Sequence, residues 1–282
     1  MIKKLIGTIA LSLTCAVSFA AESGYALEKA PDRINDMASL QNGAKLFVNY
    51  CMGCHSARSM RYNRLADIGL TDEQIKKNLL FTGDKVGDLM KIAMTPEDAK
   101  KWFGAAPPDL SVIARAKSTT MGPSGVDYVY TFLRTFYRDS TKATGWNNLV
   151  FPSVGMPNPF WQMEGPRSLN HVTVHQVEKE GGSLQWERTV AKYDTQGFAD
   201  IKTEELADYR GGPQDKAVLE SADPKRVAVF DSNVADLANF LGWMAEPVQQ
   251  QRKQMGVWVL LFLGLFLIIA WRLNSAYWKH VK

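Results

Sequence analysis

The sequence predicts a mainly α protein with a small β-hairpin insertion and one C-terminal transmembrane helix. Apolar residues recur at the spacing of an amphipathic helix in residues 40–51, 126–137 and 234–244. Apolar and polar residues alternate in residues 172–177 and 186–193, on either side of Gly181-Gly182, as in a hairpin. The uncharged run Met255–Trp271 has 17 residues, and flanking residues can extend it across a hydrocarbon core of about 30 Å.

These patterns divide the chain into three segments. Residues 1–21 combine two lysines, a short apolar run and small residues at the end, which predicts a secretory signal peptide. Cys15 in this segment leaves a lipoprotein anchor as an alternative. Residues 22–248 are the predicted periplasmic domain, and residues 249–282 are the predicted transmembrane anchor with a short cytoplasmic tail. A buried core helix is the alternative for the anchor.

The positive charge of the chain belongs to its two ends. The formal net charge is +4, but residues 1–21 and 249–282 hold seven of the 33 basic residues and none of the 29 acidic ones. The remaining 26 basic and 29 acidic groups give residues 22–248 a net charge of −3. We therefore expect no nucleic-acid partner, since such domains carry a basic patch.

The helix signals of the predicted domain follow an irregular lead-in at residues 23–36. The first helix begins near Leu40 and ends at Cys51. The predicted caps of the next three helices are Thr71 (with Gln74 in a capping box), Thr95 (before Pro96) and Ser124. Residues 146–162 have the composition of an ordered loop. The last helix is predicted to begin at one of residues 231–233 (Asp231, Ser232 or Asn233) and to end at Glu246-Pro247.

The candidate functional motif is Cys51-Met52-Gly53-Cys54-His55, which has the C-x-x-C-H pattern of covalent haem attachment. Two thiols at this spacing can each bond one vinyl group of a porphyrin, and the adjacent imidazole can bind the iron. A redox dithiol and a partial zinc site are alternatives, but a dithiol needs no adjacent histidine and zinc needs two further close ligands. Because haem attachment uses both cysteines left after signal removal, we expect no disulfide.

The second axial ligand of the iron decides the function. An open position binds gases or peroxide, whereas a protein ligand closes the site and leaves electron transfer. Met121 and Met156 are the loop candidates, and Met156 is favoured because Gly155 permits close approach of the backbone. The neighbouring prolines also hold an extended loop. His171 and His175 remain as alternatives for a bis-histidine site.

Four sequence motifs resemble those of the cytochrome c1 family, in that family's order. They are Cys51–His55, Pro107-Pro108-Asp109-Leu110-Ser111 with Arg115, Val154-Gly155-Met156-Pro157, and Trp243–Pro247 before a single anchor. The resemblance runs from about Leu40 to the C-terminus. It implies a class I c-type cytochrome-like haem domain, and it identifies Met156 with the axial methionine of the family.

The resemblance also implies roles for residues beside the haem. Pro108-Asp109-Leu110 is similar to the strand beside the proximal histidine, where the proline carbonyl accepts a hydrogen bond from the imidazole. An ordinary loop break is the alternative. Arg115 resembles the arginine that pairs with a haem propionate, and a solvated surface arginine is the alternative. The family crosses its first and last haem-domain helices, which here hold Gly43 and Phe240. Residues 165–229 are longer than the equivalent segment of many members, and we assign them no role.

By this resemblance the chain is a single-pass protein of the bacterial inner membrane and the electron-transfer subunit of quinol–cytochrome c oxidoreductase, with covalently attached haem c. Electrons would arrive from the Rieske iron–sulfur protein and leave to a soluble or tethered cytochrome c. Cytochrome b would be a further partner in a dimeric multi-subunit complex of a respiratory or photosynthetic chain. No substrate chemistry is expected on this chain. The alternatives are a freestanding membrane-tethered electron carrier and a haem gas sensor or peroxidase-like enzyme.

Overall fold

The computed structural model describes residues 25–179 and 182–280. The predicted signal peptide, Cys15 and Gly181 lie outside these residues. Helices supply most of the buried core, but strands account for 20% of the described residues, so the predicted mainly α fold is only partly confirmed. Residues 25–36 contain neither helix nor strand, in agreement with the predicted lead-in.

Eight α-helices occur in the described residues. They are α1 (Met37–Leu46), α2 (Asp72–Asn78), α3 (Pro96–Phe103), α4 (Ile113–Ala116), α5 (Gly125–Arg134), α6 (Trp161–Glu164), α7 (Pro224–Ala245) and α8 (Gln249–Tyr277). A π-helical turn over Phe47–Cys51 continues α1, and 3-10 turns cover Tyr62–Ile68 and Trp278–His280. The predicted caps at Thr71, Thr95 and Ser124 are all present, because each side chain accepts a hydrogen bond from a backbone N–H of its helix.

The last helix of the domain begins earlier than the sequence predicts. α7 starts at Pro224, and not at any of residues 231–233. The carboxylate of Asp223 caps it by accepting a hydrogen bond of 3.0 Å from the backbone N–H of Arg226. The first turn of α7 is exposed to solvent, so no apolar periodicity marks it in the sequence.

The buried core is centred where α1 crosses α7. The ring centroids of Phe47 and Phe240 lie 5.8 Å apart, and both rings are fully buried. Gly43 lies at the same crossing, against the backbone of Asp236 and the side chain of Phe240. The helix crossing implied by the resemblance is therefore present, and α5 also packs against α7.

The described strands form three antiparallel sheets. Two are pairs, β1 (Ala57–Arg61) with β2 (Leu89–Met90) and β3 (Phe136–Arg138) with β4 (Trp146–Asn148). The third contains β5 (Arg167–Glu178), β6 (Leu184–Tyr193), β7 (Ala199–Leu206) and β8 (Gln214–Ser221), in the order β7-β6-β5-β8. Residues 146–162, predicted to be a loop, thus include β4 and the start of α6.

The predicted hairpin is confirmed as β5 and β6, with Val172 opposite Val190, but it is not a small isolated hairpin. β7 and β8 extend it to four strands. Nearly every residue of β7 is exposed, and Ile201 and Leu206 are its only large apolar residues, so the alternation that marks this strand in the sequence is weak. Leu169 of β5 is buried against Tyr137 of β3 and Leu149, which follows β4, so the four-stranded sheet packs on the β3–β4 pair.

α8 is the one helix in the described part of the chain that is long and apolar enough to cross a membrane. It has 29 residues, and no part of its long apolar stretch is buried in the domain. It is therefore not a buried core helix. Glu246, after the end of α7, forms an ion pair of 2.6 Å with Arg252 in the first turn of α8.

Candidate haem site

The C-x-x-C-H motif begins in the π-helical turn that follows α1. The backbone N–H of Met52 donates to the Phe47 carbonyl at 3.1 Å, which is the wider turn of a π-helix. The N–H groups of Cys54 and His55 then both donate to the Cys51 carbonyl. This tight turn leaves Cys51 buried, Cys54 exposed and His55 buried. The motif therefore follows directly from the first helix, as the sequence predicts.

His55 is held by a backbone carbonyl. Its Nδ1 lies 2.7 Å from the carbonyl oxygen of Pro108. Because a carbonyl oxygen can only accept, Nδ1 carries the proton and Nε2 has the lone pair that can bind a metal. Burial lowers the pKa of His55, and this outweighs the hydrogen bond to Pro108 and the charge of Asp109, which raise it. The imidazole is therefore neutral at physiological pH.

The segment that presents the Pro108 carbonyl is itself fixed by hydrogen bonds. Asp109 accepts hydrogen bonds from the backbone N–H groups of Arg58 and Ser111, at 2.8 and 2.9 Å. The N–H of Leu110 donates to the Ser56 carbonyl at 2.9 Å. Partial burial raises the pKa of Asp109, but these hydrogen bonds outweigh it and hold the pKa below its usual range. Asp109 was not among the residues predicted to act, although it lies within the Pro108–Leu110 motif.

The Cys51 thiol is not a reactive thiolate. Burial, with a smaller contribution from Cys54, raises the pKa of the Cys51 thiol to about 12. Without a bound metal this thiol is therefore protonated, whereas a redox dithiol reacts through a thiolate. Within the described residues, no group of three or more His, Cys, Asp or Glu side chains is placed to hold a metal ion.

Of the two candidate methionines, Met156 is the less exposed and the one that packs against the core around the motif. Its side chain is half-buried and packs against the core that contains Cys51 and Met52. Met121 is 82% exposed. His171 and His175 lie on β5, where His171 is hydrogen-bonded to Asp215 at 2.7 Å and His175 is exposed.

Two further features lie beside the motif. A cleft of about 130 Å³ opens next to Cys54, and its lining includes Ile92, Met94 and Ala99. None of these three apolar residues was singled out from the sequence, because no local pattern shows that Ile92, Met94 and the buried face of α3 meet beside Cys54. Arg115 is exposed on α4, four residues after Ser111, so its side chain is free to reach a charged partner.

The residues present fit a covalently attached haem. The donor set contains two thiols that are free of disulfide bonds, a neutral imidazole with Nε2 available, and a thioether packed against the same core. This combination of soft and imidazole donors suits iron in a c-type haem.

A sequence model of the Cytochrome C1 family matches residues 29–180 and 215–281. The chain belongs to the cytochrome c1 family. Cytochrome c1 of Allochromatium vinosum is 40% identical over 281 residues, which is 99% of both chains. A protein named ammonia monooxygenase gamma subunit, from Nitrosomonas europaea, is 36% identical over 281 residues, covering 100% of this chain and 99% of its own. Cytochrome c1 of Rhodospirillum rubrum is 27% identical, covering 88% of this chain and 83% of its own.

Membership of the cytochrome c1 family implies covalently bound haem c and a place in the bc1 complex with cytochrome b and the Rieske protein. The match also changes the bounds of the segment that departs from the family, predicted from the sequence as residues 165–229. Residues 181–214, which separate the two matched segments, contain the whole of β6 and β7. The part outside the family pattern is therefore narrower than residues 165–229. It is a hairpin added to the free side of β5, opposite β8.

Proposed function

We propose that this chain receives electrons from the Rieske iron–sulfur protein and passes them to a soluble or tethered cytochrome c, within quinol–cytochrome c oxidoreductase. The observation that carries the proposal is the His55–Pro108 hydrogen bond in the C-x-x-C-H motif of a cytochrome c1 family chain. Haem c, when bound, supplies the one-electron transfer. The residues of the chain hold the group and tune it.

In this proposal Cys51 and Cys54 would form the thioether bonds to the haem, and His55, through Nε2, and Met156, through Sδ, would hold its iron. Two protein ligands that persist in both oxidation states exclude outside ligands and favour electron transfer. The thioether of Met156 favours the ferrous state and therefore raises the reduction potential. The half-burial of Met156 against the motif's core supports this assignment.

Pro108, Leu110 and Arg115 complete the proposed site. The Pro108 carbonyl fixes the orientation of His55, and the backbone of Leu110 ties this carbonyl to the segment that follows the motif. Arg115 would pair with a haem propionate, an assignment that its exposure on α4 permits.

The proposed topology has three parts. Residues 1–21 direct export, residues 22–248 form the haem domain in the periplasm, and residues 249–282 anchor it in the bacterial inner membrane. The long exposed apolar helix α8 supports the anchor. Export of the domain by the signal peptide would place the short C-terminal tail in the cytoplasm.

Purification of the tagged full chain from membranes in mild detergent tests the proposal. We expect cytochrome b and the Rieske protein to co-purify in a dimeric complex, with the optical spectrum of a c-type haem. A haem protein that purifies alone would instead support the freestanding carrier. Co-purification with an oxygenase would support a role like that in the name of the Nitrosomonas europaea relative.

Carbon monoxide distinguishes electron transfer from gas sensing or peroxidase-like activity. A reduced haem with two protein ligands binds carbon monoxide poorly, because the sixth position is occupied. Rapid and complete binding by the native protein would overturn the proposed pair of ligands.

A further inference from the structure

A buried polar chain begins two residues after Met156. Asn158 is 2% exposed, and its side-chain amide donates to a carboxyl oxygen of Glu164, which is 1% exposed. The side-chain oxygen of Asn158 accepts the backbone N–H of Phe160 at 2.8 Å. The amide of Asn158 therefore links the loop of Met156 to Phe160, just before α6, and to Glu164, at the end of α6.

Arg167 holds Glu164 from the other side. Its guanidinium contacts the second carboxyl oxygen of Glu164, and it also donates to the carbonyl of Arg134 at 2.6 Å. Arg167 is the first residue of β5 and Arg134 is the last of α5. The buried chain thus connects the loop to two rigid elements of the domain.

The loop needs such support because it has few backbone hydrogen bonds of its own. Pro157 and Pro159 lack N–H groups, and residues 154–159 lie outside every helix and strand. Most polar atoms of this buried network are paired, although Arg167 Nε has no hydrogen-bond partner and Glu164 Oε1 has only its ion-pair contact with Arg167. Loss of a further member would leave more buried polar groups unpaired, which is costly and loosens the conformation.

We propose that Glu164 is a positioning residue for the Met156 ligand, acting through Asn158 and held in place by Arg167. Glu164 is not itself one of the proposed ligands. It limits how far the Met156 loop can move away from the core, and so it sets how often the sixth position of the iron opens. This inference rests on the proposed role of Met156.

The experiment compares Glu164→Ala, Glu164→Gln and Asn158→Ala with the control Asp127→Ala, in the full chain purified from membranes. Asp127 is a matched control because it is also a buried acid, but it accepts the N–H of Ala30 and supports the N-terminal lead-in. The readouts are thermal unfolding, the fraction of reduced protein that binds carbon monoxide, and the weak band at about 695 nm of ferric haem with histidine and methionine ligands.

We expect Glu164→Ala and Asn158→Ala to raise the fraction binding carbon monoxide about tenfold and to weaken the band, since a buried hydrogen-bond partner is lost. Glu164→Gln should restore both only in part, because its amide oxygen still accepts from Asn158 but the negative charge that faces the Arg167 guanidinium is lost. Asp127→Ala should lower the unfolding temperature and leave both haem readouts unchanged. Asn158→Ala removes the link to Glu164 and the acceptor of the Phe160 N–H but keeps the Glu164–Arg167 pair, so it tests the proposal even where Glu164→Ala prevents folding.

A failure of the positioning role of Glu164 can be told apart from a failure of the Met156 assignment. The positioning role is overturned if Met156→Leu abolishes the band while the Glu164 and Asn158 variants behave like Asp127→Ala. The ligand assignment itself is overturned, and the positioning role with it, if Met156→Leu leaves the band intact.

Discussion

Gly43 and Phe240 lie in direct contact where α1 crosses α7. A Cβ atom added to Gly43 would lie 2.5 Å from the Cβ of Phe240 and 2.4 Å from the carbonyl oxygen of Asp236. Neither atom belongs to a flexible chain end, so the helices would have to separate. The separation would also disturb Phe47, whose ring packs on Phe240 just before the haem motif.

Gly43→Ala should therefore destabilise the protein by about 1–3 kcal/mol through overpacking. Thermal unfolding of the purified variant measures this loss. Gly87→Ala is the control, because a Cβ atom at Gly87 has no neighbour within 4 Å. Equal unfolding temperatures for the two variants would show that the crossing is not tightly packed.

Met156→Leu should remove the absorption band at about 695 nm and lower the reduction potential, on the order of 100 mV, because leucine supplies no thioether. Optical spectroscopy of the oxidised protein and a redox titration measure the two effects. Met121→Leu is the control, since the Met121 side chain is 82% exposed. A Met121 variant that lost the band would reverse the assignment of the two methionines.

Asp109→Ala should raise the reduction potential of the bound haem, on the order of tens of millivolts. Loss of the carboxylate loosens the segment that presents the Pro108 carbonyl, so His55 donates less electron density to the iron. Asp88→Ala is a matched control, because Asp88 also accepts two backbone N–H groups but lies in the turn before β2. A redox titration that shows the same potential for both variants would contradict the prediction.

Asp127 should make the free energy of unfolding depend on pH in the acid range. Partial burial raises its pKa, but hydrogen bonds from the N–H of Ala30 and from Ser124 outweigh this and lower the pKa overall. A lowered pKa in the folded state stabilises the protein above the unfolded value of about 3.9, and the stabilisation is lost as the pH falls through the folded pKa. Asp127→Asn should thus cost about 1–3 kcal/mol at neutral pH and less in acid. The free energy of unfolding of both proteins is measured from neutral to acid pH. A difference between Asp127→Asn and the unsubstituted protein that stays constant over this range would disprove the prediction.

A chain that stops before Gln249 should leave the membrane and keep the haem spectrum of the full chain. No residue of α8 is buried in the domain, so its removal exposes no core. Fractionation of cells into membrane and soluble parts tests the prediction. A truncated domain that stays with the membrane would reveal a second attachment.

Local signals in the sequence predicted much of the fold and of the candidate site. The caps at Thr71, Thr95 and Ser124 depend on residues three positions apart, so the sequence contains all of the information. The C-x-x-C-H motif and the hairpin of β5 and β6 are equally local. The motif resemblance also led to Pro108, whose carbonyl lies at hydrogen-bond distance from His55.

Features that depend on distant contacts could not be predicted. The hydrogen bond from the Arg167 guanidinium to the carbonyl of Arg134 joins residues 33 positions apart, and no local sequence pattern predicts it. β7 carries exposed polar residues on both faces and looks like a loop in the sequence. The start of α7 was missed because a capped, exposed first turn has no apolar face.

The edge position of β6 and β7 has a consequence for how such a domain can vary in size. Arg167 pairs with Ser221 of β8, whereas the pairing of β5 with β6 begins only at Leu169. Residues can therefore be added to the free edge of β7 without changing the backbone pairing of Arg167 with Ser221. A longer chain at the β7 edge would therefore not displace Arg167, the side chain that supports the Met156 loop through Glu164 and Asn158.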